Sequence, residues 1–95
     1  MGVIDVRPPE LYATGHIPKS VSFPPDMWQQ GANEWVSKAV IIVVAEDEEE
    51  SKAAAAVVSR WGYRGVLRLR GGIQSWSKLY GHDSLESGPG GDKLP

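Results

Sequence analysis

Ninety-five residues, no cysteine and a formal charge of −2 describe one small domain and exclude disulfides, thiolate metal sites and a cysteine nucleophile. The slight acidity gives no footing for nucleic acid, whose phosphates reward basic patches, and no apolar run approaches the ~20 residues that span a bilayer. The opening "MGVIDVRPPE" lacks the regions of a signal peptide, and Val6 stands where a myristoylation signal needs Ser or Thr. The expectation is a soluble intracellular domain, cytoplasmic by default, with no cofactor.

Val3, Ile4 and Val6 read as a short buried strand that begins almost at Met1, as in a fragment of a longer protein. "RPPELYATG" follows as a helix, with Pro8 and Pro9 at its start, Glu10 in its first turn and Gly15 as its stop. Pro18 makes a turn, residues 20–23 a second strand, and Pro24 and Pro25 end it. In the connection over 26–39, Asp26 is a candidate helix cap, with Trp28 and Trp35 as apolar anchors.

"AVIIVV" (39–44) is unbroken and apolar, as befits a central parallel strand. A helix opens at Ser51, with Ala53, Ala56, Val57, Arg60 and Trp61 on one face and Gly62 as its stop. "GVLRLRG" (65–71) reads as a strand alternating Leu67 and Leu69 with Arg68 and Arg70. Residues 71–81 give a glycine-bounded helix carrying Ile73, Trp76 and Tyr80, so the domain is expected to fill 1–81. The stretch 82–95 reads as a flexible tail that includes an exposed His82.

Strands alternating with helices imply a three-layer α/β sandwich: a mostly parallel sheet of about four to five short strands, with helices on both faces. Ligands of such sheets bind outside the carboxyl ends of the strands. The best strand ends there at Ala45, followed by five consecutive acids, Glu46, Asp47, Glu48, Glu49 and Glu50.

The run "VIDVRPPELYATGHIPKSVSFP" resembles the opening of rhodanese-like domains through Asp5, Val6, Arg7, Pro9, Glu10, Tyr12, Gly15, His16, Ile17 and Pro24. Their closing pattern is matched by Gly62, Tyr63, Val66, Leu69, Gly71, Gly72, Ile73 and Trp76. The likeness runs from residue 3 to about 80 and lacks the family's usual N-terminal extension. Enzymes of this family are sulfurtransferases. A cysteine ending the central strand carries sulfur as a persulfide, cradled by loop amides and a helix N-terminus, with a loop Arg near the anionic donor. Aligned on Ser51, the resemblance puts the nucleophile at Ala45 and the loop Arg at Glu50. It therefore implies a catalytically inactive member with a vestigial site at Ala45, Glu50 and Ser51.

Three readings stand open for residues 46–50. The acids are simply solvated, favoured near a helix start by the dipole; they dock a basic protein partner; or they hold a divalent cation, although the alternation of an EF-hand is missing. The favoured function is a regulatory or interaction module. The alternatives are an atypical sulfurtransferase, a phosphatase relative, or a sensor of a small ligand or cation in the vestigial pocket. Asp5 and Arg7 are expected to serve structure, bonding loop amides and pairing with a nearby carboxylate such as Glu10, and His16 to order a turn. Arg60, Arg64, Arg68 and Arg70 form a charged edge able to meet the acids of a second copy. A homodimer is also conceivable through an exposed first strand.

Overall fold

The computed structural model describes residues 2–28 and 40–88. Its elements follow in chain order as β1 (Gly2–Asp5), α1 (Pro9–Thr14), β2 (Val21–Ser22), β3 (Val40–Val44), α2 (Glu48–Val58), β4 (Gly65–Arg68) and α3 (Gly72–Tyr80). The four strands form one parallel sheet in the order β2-β1-β3-β4, with Ile4 opposite Val21 and Val43, and Ile41 opposite Val66. This is the α/β architecture read from the alternation, with helices covering both faces and β3 central.

Side chains alternate across a strand. Ile4, Ile41, Val43 and Val66 share a face and pack with Ala54 and Val58 of α2, together with Phe23 and Trp61. Trp28 also packs against this core, its ring 5.6 Å from that of Trp61, and anchors the chain as expected. On the other face Val44 is buried, as are Tyr12 of α1 and Ile73 of α3.

Several expectations shift. β1 lies between β2 and β3 and is bonded on both sides, so it offers no free edge to a second copy. The helix α2 starts at Glu48, not Ser51, and buries Ser51, Ala54 and Val58, while Ala53, Ala56 and Val57 are exposed. Four successive alanines carry no periodicity, and the buried stripe is therefore out of phase with the one inferred. Asp26 lies inside a 3-10 turn, Pro25–Met27, that Pro24 opens without a side-chain cap. In β4 it is Val66 that meets the core, whereas Leu67 is 54% exposed.

Residues 82–88, expected to begin a flexible tail, instead return to the domain. A 3-10 turn over His82–Ser84 leads Glu86 into reciprocal backbone bonds with His16, each 2.8 Å, and the Gly88 N–H donates to the Ala13 carbonyl. His82 itself is exposed. Trp35 and residues 89–95 lie outside the described residues. Among the described residues no helix is long and apolar enough to cross a membrane.

Candidate functional site

Two loops leave the carboxyl ends of the central strands side by side. The first follows β1. Asp5 is fully buried and chelates Arg7, accepting from Nε at 3.0 and 3.2 Å, from Nη2 at 2.9 Å and from the Arg7 backbone N–H at 3.0 Å. Arg7 Nη2 also donates to the Gly15 carbonyl at 2.7 Å, which fixes the end of α1. Its second carboxylate neighbour is Glu46 at 3.6 Å, in place of the expected Glu10. His16 orders the next turn: its ring stacks parallel on Tyr12 at 3.8 Å and its Nδ1 lies 2.8 Å from the Tyr12 carbonyl. The Tyr12 hydroxyl donates to the Ser20 carbonyl at 2.6 Å. Lys19, in the same turn, adopts a left-handed backbone at φ 70°.

The second loop follows β3. Ala45 directly follows the strand, buried to 1% exposure, at the position the resemblance gives to the nucleophile. Only Glu46 and Asp47 separate it from α2, because Asp47 caps that helix by accepting from the Glu50 N–H at 2.9 Å. Ser51 is buried and donates from its hydroxyl to the Asp47 carbonyl at 2.7 Å. The run read as one acidic loop is therefore a two-residue link and the first turn of a helix.

Three of its five acids are engaged within the chain, Asp47 as the cap just described. Glu46 accepts from Gln74 Nε2 at 3.2 Å and faces Arg7. Glu48 reaches across to β4 and its loop, where Arg68 Nη1 lies 2.8–2.9 Å from both carboxylate oxygens and the Gly71 N–H donates at 2.7 Å. The Gly71 amide above all, and then the positive charges of Arg68, Lys52 and Arg70, hold the Glu48 carboxyl below the ordinary glutamate value against a partial loss of hydration. Glu49 and Glu50 point outward from the first turn of α2 and are exposed. The arginine edge envisaged as meeting a second copy thus turns Arg68 to Glu48 of its own chain, while Arg60, Arg64 and Arg70 remain exposed. Among the described residues no three acidic or histidine side chains converge on a point where a metal ion could sit.

The link is pinned from a third side. The Ile73 and Gln74 amides, in the first turn of α3, donate to the carbonyls of Ala45 and Glu46 at 2.8 and 3.2 Å. This approach is so close that a Cβ at Gly72, where φ is +66°, would lie 2.6 Å from the Asp47 nitrogen and the Glu46 carbonyl. Only glycine fits there.

The sequence that builds this strand end, short loop and helix start matches a known family over residues 1–79, the rhodanese-like domain. The chain belongs to that family. A crystal structure of a Bacillus halodurans protein is 30% identical, covers 97% of this chain and 67% of its own, and superposes with a TM-score of 0.78. A rhodanese-like domain from Anabaena sp. covers 93% of both chains at 22% identity and TM-score 0.80. The rhodanese-like domain protein of Staphylococcus aureus covers 92% of this chain and 80% of its own at 23% identity and TM-score 0.77. The last two, by their distance, speak for the rhodanese-like fold alone. No protein of curated function matches the sequence.

One feature of this rhodanese-like domain had no counterpart in the sequence reading. A groove of about 670 Å³ opens beside the start of α2, between Ala53 and Val57 on one side and Pro24, Pro25 and Trp28 on the other. The doubled prolines were legible as strand and helix punctuation. That two distant pairs, at 8–9 and 24–25, meet along one groove depends on the pairing of β1 with β2.

Proposed function

We propose that this rhodanese-like domain is a non-catalytic interaction module that docks a basic protein partner on the face where α2 begins. The observation that carries the reading is the fate of the anion-binding groups at the end of the sheet. Ala45 has no atom able to hold sulfur, and the Arg68 guanidinium and Gly71 N–H, which suit an anionic ligand, are already bound to the Glu48 carboxylate of the same chain. A sulfur-donor anion approaching Ala45 would compete with an intramolecular carboxylate and meet Glu46 and Asp47 in the link beside it, with Glu49 and Glu50 adding to the negative field. Glu49 and Glu50, free of such tasks, give the exposed face its negative sign, which steers and orients a Lys- or Arg-bearing partner.

Sulfur transfer from thiosulfate to cyanide is the test. No thiocyanate above a heat-treated control is expected; turnover would overturn the reading. Ala45→Cys alone is expected to stay inactive as well, because Glu48 still occupies the cationic groups. Activity in that variant would mean that the site lacks only its nucleophile.

A further inference from the structure

The groove beside α2 offers an occupant surface unlike that of the acidic link. Much of its wall is proline, from the start of α1 and from the turn after β2, and prolines have no N–H to donate. Trp28 adds its ring face only, since its Nε1 already donates to the Phe23 carbonyl at 2.9 Å. Ala53 and Val57, turned away from the core, complete the apolar lining. With a volume in the range of sites that seat side chains and small ligands, such a wall selects apolar groups by shape and gives a polar molecule little to bond.

Its charges differ in availability. Arg7 lines the groove, but its guanidinium is held by Asp5 and the Gly15 carbonyl. Asp26 and Glu50 line it too and are exposed, and among the described residues no ion pair or hydrogen bond engages either carboxylate. The groove is therefore apolar in its walls and net negative at its rim. The Trp28 ring face adds to that sign as a site of cation–π attraction.

We propose that this groove docks a short protein segment in which an apolar side chain stands beside a Lys or Arg. The apolar group seats against Pro24, Pro25, Ala53 and Val57, and Asp26 and Glu50 hold the cation. This rests on the docking reading above and names the partner's chemistry for the same face.

A displayed library of random short peptides, panned on the intact chain, tests it. Enriched peptides are expected to place Leu, Ile, Met or Phe within two residues of Lys or Arg. Affinity of a synthetic selected peptide, read by fluorescence anisotropy, should fall roughly tenfold or more on Val57→Arg, which fills the groove from an exposed helix position. It should fall roughly three- to tenfold on the paired change Asp26→Asn and Glu50→Gln, which leaves every described internal bond intact. Acidic or purely apolar winners, no enrichment, or binding undiminished by Val57→Arg would overturn the groove as the site. Binding lost on Glu49→Gln but kept on Val57→Arg would likewise overturn it while leaving a docking role. A dimer mass in light scattering that Val57→Arg abolishes would seat a second copy there and overturn the peptide. Sulfur transfer in the thiosulfate assay would instead strike the underlying reading.

Discussion

The corner after β1 and the link after β3 both join an arginine to a carboxylate at the carboxyl end of the sheet, and they do it in opposite ways. Asp5 and Arg7 are two residues apart, dry, and joined by a set of bonds that also closes α1. Glu48 and Arg68 are 20 residues apart and both meet water. A buried pair cannot lose one member without stranding the other charge, whereas a half-exposed pair can be exchanged for hydration at little cost. The corner is thus bound to the fold, and the link is free to change its chemistry while the sheet stays as it is.

That contrast can be broken most forcefully at Arg7. Arg7→Ala leaves Asp5 charged and enclosed, and is expected to lower stability by about 3–5 kcal/mol in urea unfolding. A loss below about 1 kcal/mol would mean that the corner is no more binding than a surface pair. Lys19→Gly acts in the other direction, in the turn that follows that corner. Lys19 holds a left-handed backbone that glycine adopts freely, and its replacement should raise stability by about 0.5–1 kcal/mol after the added entropy of the unfolded glycine. A loss instead would show that the Lys19 side chain contributes contacts that outweigh the strain.

The smallest effect belongs to the link and shows in the pH dependence. Because the folded chain lowers the Glu48 carboxyl, the native state binds fewer protons there than the unfolded chain does. The stabilisation is therefore present above the ordinary glutamate value and is lost as pH falls through the lowered one. Urea midpoints of Glu48→Gln should lie below those of the parent near neutrality and converge with them in acid. A constant gap across that range would mean that Glu48 acts by packing and not by its charge.

Much of the architecture was legible because its signals are local. The apolar run 40–44 has no competing periodicity, and Pro9 and Gly15 bracket a helix by backbone restriction alone. Asp5, Arg7 and His16 were placed as structural groups, but the partner of Arg7 was not Glu10: the side chain turns inward, toward Asp5 and the far loop. The acidic run misled in a different manner. Five like residues in a row give no hint that one faces Arg7 and Gln74, one caps, one bonds Arg68 and two face water, since those tasks follow from where α2 begins and where β4 and α3 return. The groove was hidden for the same reason, being made by strand pairing and not by any one segment.

The bonds from the first turn of α3 to the carbonyls of Ala45 and Glu46 bear on how the chain folds. A nine-residue helix entered through a left-handed glycine, without a side-chain cap, is too short to persist alone. Its opening amides are completed by backbone from much earlier in the chain, so the helix and the strand end form in one cooperative step. Hydrogen exchange offers the direct check: the Ile73 amide should be protected as long as the amides of β3, and faster exchange there would separate the two.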